Sequence, residues 1–236
     1  MADTPTITRI RLSISTAYLI RHERPVLVDT GAPGDLPRLT AALAAAGVAP
    51  ADLALVIHTH GHADHVGSSA ALRPLTTAPF AIHVLDDFIA RSGSNPHSEF
   101  TSLEARILLP FVNKPFSPVH CDLIVREEIS LAPYGVAGRV IFTPGHTDGS
   151  ISLLLEDGDV IAGDVLIGGA LGGKLQGSRP KWPYTVTSRH QLLASIRRIL
   201  ALKPRQIYVG HGGPLAPADV ARWLEQATSH AAATKG

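Results

Sequence analysis

Short apolar runs alternate along the chain with segments whose apolar residues recur at helical spacing. The runs at 26–28, 55–57, 81–84, 140–142, 151–155, 160–162 and 207–209 predict buried β-strands. After the first run, Leu36, Leu39 and Leu43 follow helical spacing, and Gly47 lies where such a helix would end. This alternation of strands and helices favours an α/β fold.

Two further helices are predicted in the second half of the chain. Ser188 and Gln191 have the spacing of a capping box and precede an apolar face that stops before Pro204. A last helix is predicted from about Pro217, where proline suits the first turn. Its inward-facing residues would be Val220, Trp223 and Leu224.

Two segments depart from this alternation. Residues 86–133 contain five prolines and mixed helical spacing, and we interpret them as a helical and loop insertion between two strand-rich halves. Residues 168–184 contain five glycines and two prolines, which predicts a mobile connection just after a strand end. Loops in such places often contact substrate, so both segments are candidates for the substrate pocket.

Composition restricts the classes of function. With 236 residues and 45% apolar content, the chain is expected to form a single domain, residues 1–236. The 21 basic and 20 acidic residues nearly cancel, so no nucleic-acid partner is expected. The single Cys121, an N-terminus without a targeting pattern and the absence of a long apolar run predict a cytoplasmic protein without a membrane partner.

The densest chemical signal is the segment 58–65, which directly follows the apolar residues 53–57. It holds four potential metal ligands, His60, His62, Asp64 and His65. Extended spacing would place His60 and His62 on one side, and a turn into a helix at Asp64 would bring the other two towards them. Imidazole and carboxylate groups at this spacing are typical of a centre for zinc, iron or manganese.

Three further candidate ligands, His146, Asp164 and His211, each follow an apolar run and are each preceded by glycine. This pattern indicates strands that end in tight turns and expose a side chain at the sheet edge. Five histidines and two aspartates suit two divalent ions, bridged by one carboxylate and one hydroxide, better than a single ion. The sequence therefore predicts a dinuclear centre, with zinc as the favoured metal.

Residues 59–65 match the signature T-H-x-H-x-D-H, and the chain in this respect resembles the metallo-β-lactamase superfamily. His146, Asp164 and His211 match the later ligand positions of that family in order, and residues 28–31 resemble its early V-D-T-G element. The resemblance implies an αββα sandwich of four layers, with the metal ions at one edge between two sheets.

The resemblance also implies a role for each site residue. His60, His62 and His146 would hold one ion, and Asp64, His65 and His211 would hold the other. Asp164 would bridge the two ions, and Asp29 and Thr59 would support the ligands from behind. Asp29 has the alternative role of capping the turn that follows it. Asp64 and Asp164 are the candidate catalytic residues. Asp164 would bridge the two ions, and Asp64 could also accept or relay a proton during turnover.

Two such ions would activate water for attack on a small-molecule substrate. The combination of Asp64, His65 and Asp164 resembles the glyoxalase II, lactonase and nuclease branches more than typical β-lactamases. Because the near-neutral composition does not favour a nuclease, we expect a carboxylic ester, lactone or thioester. The alternatives are a β-lactamase or other hydrolase of this fold, and a persulfide dioxygenase that binds one iron through His60, His146 and Asp164. A non-catalytic scaffold would be expected to have lost ligands.

The remaining candidates have two interpretations each. His58 either packs in the core or supports a ligand, and a histidine outside the motif, such as His83, is expected to be structural. The aromatic residues of the two irregular segments either line the pocket or anchor loops to the core. These residues are Phe111, Phe116, Trp182 and Tyr184.

Overall fold

The computed structural model describes residues 4–95, 99–112 and 114–233. Its helices are α1 (Leu36–Ala45), α2 (Ala63–Val66), α3 (Ser69–Leu72), α4 (Val84–Ser92), α5 (Leu103–Val112), α6 (Arg189–Ala201) and α7 (Pro217–Ala233). Its first strands are β1 (Thr6–Arg11), β2 (Thr16–Arg21), β3 (Val26–Val28), β4 (Leu55–Ile57), β5 (Phe80–His83), β6 (Glu99–Phe100) and β7 (Leu123–Val125). The later strands are β8 (Gly138–Phe142), β9 (Ile151–Leu155), β10 (Asp159–Ile161), β11 (Ile167–Ala170), β12 (Leu175–Lys181), β13 (Thr185–Val186) and β14 (Gln206–Tyr208).

The described strands form two main sheets. The larger sheet has the order β1-β2-β3-β4-β5-β7, antiparallel as far as β3 and parallel from there on. The smaller sheet has the order β14-β10-β9-β8. In it β14 and β10 are parallel, whereas β9 is antiparallel to both of its neighbours. The carboxyl ends of β8, β10 and β14 therefore lie at the same edge.

Three apolar clusters separate the structure into four layers. The central cluster lies between the sheets, where Ile20 and Leu55 of the larger sheet pack with Leu153 and Ile161 of the smaller one. A second cluster packs α1 and α4 on the outer face of the larger sheet. A third packs α6 and α7 on the outer face of the smaller sheet. This arrangement confirms the αββα sandwich that the family resemblance implies.

The sequence located most elements of the two main sheets. Every predicted strand is present, and its carboxyl end lies within one residue of the predicted one. The hydroxyl oxygen of Ser188 accepts a hydrogen bond from the backbone N–H of Gln191, as expected of a helix cap. Strands β1 and β2 were not predicted. In β1, threonine and arginine interrupt the apolar residues, whereas β2 contains a continuous buried apolar run at 17–20 that the prediction omitted.

The two irregular segments contain regular structure. The prediction of a mobile connection at 168–184 was wrong, because β11 and β12 pair as an antiparallel hairpin across most of it. Glycine there permits close backbone packing: a Cβ on Gly168 would lie 1.8 Å from the backbone oxygen of Gly177. Segment 86–133 includes most of α4, then β6 and α5, and it adds β7 to the edge of the larger sheet.

Among the described residues, no helix combines the length and apolar character needed to cross a bilayer.

Candidate metal centre

The motif 58–65 leaves the larger sheet at the carboxyl end of β4. His60 and His62 lie on the extended segment after this strand, and His62 is the residue from which α2 begins. Asp64 and His65 lie in the short helix itself. The turn into a helix expected from the sequence is therefore present, and it brings the four side chains to one end of the sandwich.

The three downstream residues arrive from the smaller sheet. His146 follows β8, Asp164 follows β10 and His211 follows β14. Because these strands end at the same edge, their following turns lie next to the motif of the larger sheet.

Glycine precedes each downstream residue for reasons of space. A Cβ on Gly210 would lie 2.2 Å from Oδ1 of Asp164 and 2.5 Å from Cε1 of His65. A Cβ on Gly163 would lie 2.7 Å from Cβ of Thr59, and Gly163 also has a φ of +53°. A Cβ on Gly145 would instead lie 2.3 Å from the backbone nitrogen of Leu192, so this glycine allows close packing against α6.

The first group of possible ligands consists of His60, His62 and His146. Nε2 of His146 lies 3.2 Å from Nε2 of His60 and 3.0 Å from Nδ1 of His62. Two nitrogens that both bind a tetrahedral zinc ion are about 3.3 Å apart, given a zinc–nitrogen distance of about 2.0–2.1 Å. The three nitrogens therefore have nearly the separations that one ion requires.

The second group consists of Asp64, His65 and His211. Oδ2 of Asp64 lies 3.1 Å from Nε2 of His211 and 3.8 Å from Nε2 of His65. His65 and His211 are buried, whereas the side chain of Asp64 remains 20% exposed. Asp64 is thus the residue of this group that faces solvent.

Asp164 lies between the two groups. Its Oδ2 is 3.8 Å from Nε2 of His146 and 3.2 Å from Nε2 of His211, and its Oδ1 is 3.6 Å from Nε2 of His65. One carboxylate therefore faces nitrogens of both groups.

Hydrogen bonds behind the imidazole rings orient their lone pairs. The Nδ1–H groups of His146 and His211 donate to the backbone oxygens of Thr185 and Ile14, each at 2.8 Å. Nδ1 of His65 donates to Oδ2 of Asp29, also at 2.8 Å. In its neutral form each of these rings carries its one proton on Nδ1 and can present an unprotonated Nε2 to a metal ion.

Asp29 and Thr59 extend this support to His60. The carboxylate of Asp29 accepts hydrogen bonds from the backbone N–H and the hydroxyl of Thr59, both at 2.8 Å. The Thr59 oxygen lies 3.1 Å from Nδ1 of His60 and can accept its proton. Asp29 therefore orients His65 directly and His60 through Thr59, and the following turn is held instead by Asp35, whose Oδ2 accepts from the Ala32 N–H at 3.0 Å.

The first group has the electrostatic properties of neutral ligands. Burial, together with the nearby His146, lowers the pKa of His62 to about 3. Burial and the charges of His65 and His146 hold the pKa of His60 well below its usual value, and burial also lowers the pKa of His146. Their nitrogens are therefore free of competing protons near neutral pH.

The second group attracts positive charge. Burial lowers the pKa of His65, but the carboxylates of Asp29, Asp164 and Asp64 outweigh it and raise the value to about 9. The pKa of His211 is likewise raised well above its usual value, since Asp164 and Asp64 outweigh burial. Burial raises the pKa of Asp164, but His211 and His65 bring it down to about 2. A divalent cation would supply the same positive charge as protons on these two imidazoles.

Two buried polar atoms support the fit of a metal ion. Nε2 of His65 and Oδ1 of Asp164 have no hydrogen-bond partner among the described residues. In addition, the Nε2 lone pairs of His60 and His146 face each other at 3.2 Å. Unpaired buried acceptors and facing lone pairs are unfavourable, and bound cations would make both arrangements favourable. The residues present therefore fit metal ions.

Comparison with known proteins decides the family. The model of the Metallo-beta-lactamase superfamily matches residues 10–211, which is most of the chain. The chain belongs to the metallo-β-lactamase superfamily. The resemblance of the motif 59–65 is thereby confirmed.

Relatives within the superfamily match to different extents. The chain is 31% identical over 159 residues to an uncharacterized protein of Aquifex aeolicus, a stretch covering 66% of each chain. It is 28% identical over 202 residues to a probable metallo-hydrolase of Methanocaldococcus jannaschii, covering 84% of this chain and 87% of that one. A stretch of 44 residues is 57% identical to rat metallo-beta-lactamase domain-containing protein 1, but spans only 18% of that protein.

A solved structure of the superfamily has the same fold. The crystal structure of a metallo-beta-lactamase family protein from Thermus thermophilus superposes with a TM-score of 0.69 at 27% identity. The match covers 98% of this chain and 80% of that one.

Sequence reasoning missed several residues of this metallo-β-lactamase-fold site. Asp86, in the first turn of α4, bonds to the loops on both sides of the first group. Glu104 of α5 accepts hydrogen bonds from the hydroxyl of Tyr184 and the backbone N–H of Leu171 and pairs with Lys181. An acidic residue near a helix start is common, so no signal in the sequence distinguished either carboxylate.

The aromatic residues have different environments. Phe116 is buried in the core against the outer helices of the larger sheet, and Trp182 packs edge-on against Trp223. Both therefore anchor loops. The ring of Tyr184 lies edge-on to His211, 6.0 Å between centroids. The side chain of Phe111 lies outside the described part of the protein.

His58 is buried directly behind the motif. Its Nε2 lies 3.2 Å from the hydroxyl of Ser69, and its ring packs edge-on against Phe80. Burial lowers its pKa to about 4. His58 thus behaves as a neutral packing residue. His83 stacks on Phe142 and caps α4, where its Nδ1 accepts a hydrogen bond from the N–H of Leu85, so it is structural as expected.

Proposed function

We propose that this protein is a metal-dependent hydrolase with two divalent ions, most favourably zinc, that cleaves a small carboxylic ester, lactone or thioester. The observation that carries the proposal is the convergence of seven side chains into two groups around one carboxylate. His60, His62 and His146 would hold one ion, Asp64, His65 and His211 the other, and Asp164 would contact both. A probable metallo-hydrolase among the relatives supports the same class of activity.

When bound, two such ions acidify water and polarise the oxygen of a scissile bond. The protein residues would then bind and orient the substrate and shield it from solvent. Hydrogen bonds to Asp29 and to the backbone oxygens of Thr185 and Ile14 fix the imidazole rings before substrate arrives, so little reorganisation is required during the reaction.

Asp64 is the residue best placed to exchange a proton with substrate. It is the only one of the seven that is not buried, and it therefore lies at the solvent-facing side of the site. Burial raises its pKa, but His65 and His211 more than offset this and keep the carboxyl ionised. An ionised carboxylate at this position can accept a proton during turnover.

The surroundings of the site favour a substrate with an apolar part. Phe100 pairs in the sheet with Thr185, whose carbonyl holds His146, and Leu171 is held to α5 by Glu104. Phe100, Leu103 and Leu171 are all at least 48% exposed. Exposed apolar side chains on the segments next to a reactive centre are typical of a binding site. We propose that α5 and the β11–β12 hairpin form the substrate entrance.

The test combines metal content with substrate preference. Protein purified without added metal is subjected to elemental analysis and assayed with a lactone, a thioester and a β-lactam, and oxygen uptake is measured with a persulfide. We expect about two zinc-like ions per chain and turnover of the lactone or thioester. Turnover of the β-lactam alone would show that the substrate is a β-lactam and not an ester, lactone or thioester. One iron with oxygen uptake would favour the dioxygenase, and failure to bind any metal would refute both enzymes.

A pair of matched variants identifies the site responsible. Asp164→Asn removes the charge that faces both groups, and we expect it to lower metal content and activity. Asp159→Asn is the control, since Asp159 is also a buried carboxylate but pairs with Arg205 at the end of β10. Equal losses in both variants would show that a general loss of stability, rather than the site, determines the result.

A further inference from the structure

Asp86 is a buried carboxylate that lies outside the proposed ligand set. It lies in the first turn of α4 and is 1% exposed. Its Oδ2 accepts hydrogen bonds from the backbone N–H of Gly61 at 2.8 Å and from the hydroxyl of Thr147 at 2.7 Å. Its Oδ1 accepts from the backbone N–H of Gly149 at 2.9 Å.

These three bonds join the two loops that carry the first group of imidazoles. Gly61 separates His60 from His62, and Thr147 directly follows His146. The first two histidines extend from the larger sheet and the third from the smaller one, so their spacing depends on how the loops are held together. Asp86 is a side chain that bonds to both loops at once.

The packing around Asp86 leaves no room for an alternative arrangement. A Cβ on Gly149 would lie 2.5 Å from Oδ1 of Asp86, and a Cβ on Gly61 would lie 2.8 Å from Cβ of Ile89, also on α4. Glycine at both positions lets the two loops close on the carboxylate and on α4. The loops are thus fitted to the first turn of this helix.

The second group is supported from a different direction. His65 is held by Asp29 and His211 by the backbone oxygen of Ile14, on the segment between β1 and β2. A change at Asp86 should therefore act on the two groups unequally.

We propose that Asp86 is a positioning residue for the first metal ion: it sets the separation between the His60–His62 loop and the His146 loop, and so determines the affinity and geometry of that site alone. The inference rests on the proposed metal centre. Asp86 would act through the loops, because its bonds go to two backbone N–H groups and one hydroxyl.

The test uses Asp86→Asn with Co²⁺ and Zn²⁺ as probes. An asparagine oxygen can retain some of these bonds, but its NH₂ group would face an N–H or O–H donor, so the loops must separate. We expect the affinity for one of the two ions to fall about 10–100-fold, as is typical when support of a ligand is lost, and the visible Co²⁺ spectrum of that site to change. The affinity for the other ion should remain within about threefold of the original.

Two further variants make the result interpretable. Asp159→Asn removes a similarly buried carboxylate that pairs with Arg205 at the amino end of β10, and it should leave both the Co²⁺ spectrum and the affinities unchanged. Thr147→Val keeps the charge of Asp86 but removes one of its three bonds, and it should produce a smaller change of the same kind. It also provides the test if Asp86→Asn does not fold.

The outcomes separate this inference from the proposed function. If the unmodified protein binds no metal, the proposed function itself fails. If it binds two ions and Asp86→Asn or Thr147→Val leaves the Co²⁺ spectrum and both affinities unchanged, only the role of Asp86 is refuted. An equal loss of affinity for both ions would also refute the role of Asp86, because the substitution would then have affected the fold as a whole.

Discussion

Replacement of Asp29 by asparagine should lower the affinity of the protein for one of the two metal ions. Asp29 is buried and has a φ of +63°, a left-handed conformation that asparagine tolerates as well as aspartate does. The backbone should therefore be retained. What changes is the carboxylate, which accepts three hydrogen bonds of 2.8 Å, two from Thr59 and one from His65.

The expected loss of metal affinity follows from the position of the proton on His65. The amide oxygen of asparagine can retain the bond from the Thr59 N–H, but its NH₂ group would face the Nδ1–H of His65. To accept from that NH₂, the imidazole must move its proton to Nε2, the atom that faces Asp64 and Asp164. Loss of such support typically lowers metal affinity about 10–100-fold, or about 1.4–2.7 kcal/mol.

Competition with a chromophoric chelator measures the two affinities separately. In Asp29→Asn we expect a lower affinity for the ion held by His65. The affinity for the ion held by His60 should fall less, because Asp29 contacts His60 only through Thr59. Asp159→Asn again serves as the control. Unchanged affinity for both ions in a folded Asp29→Asn variant would refute the role assigned to this hydrogen-bond network.

Three other experiments test the packing at the site and elsewhere in the fold. Gly210→Ala should lower metal binding more than tenfold in a titration, because its Cβ would lie 2.2 Å from Oδ1 of Asp164; normal binding would contradict this packing. Cys121 should react with a thiol reagent at pH 8 at least 100-fold more slowly than a free thiol, since burial raises its pKa to about 12; rapid reaction in the native protein would contradict that environment. Glu104→Leu should speed proteolysis within the hairpin 167–181 without changing metal content, and an unchanged cleavage rate would show that Glu104 does not hold the hairpin.

The strands that could be predicted from the sequence are those buried on both faces. Strands such as β3 and β4 appear as continuous apolar runs because both of their faces contact a core. Strand β1 was missed because threonine and arginine interrupt its apolar residues, and β2 was missed although its residues 17–20 form a buried apolar run. The β11–β12 hairpin was also missed, since its glycines serve close backbone contacts across the pair and to residues 212–213, a purpose that composition does not distinguish from mobility.

For the candidate site, the sequence revealed the side chains that converge but not those that hold them. The seven proposed ligands could be found because each stands next to a recognisable strand end. Asp86 and Glu104 could not, because their partners lie far away in the chain and depend on tertiary packing. The backbone oxygens of Ile14 and Thr185 carry no sequence signal at all, although they orient His211 and His146.

Anomalous diffraction from crystals of the zinc-loaded protein is the most direct test of the proposed centre. We expect two peaks of anomalous density, one surrounded by His60, His62 and His146 and the other by Asp64, His65 and His211, with Asp164 between them. A single peak, or metal bound away from these seven side chains, would contradict the dinuclear centre.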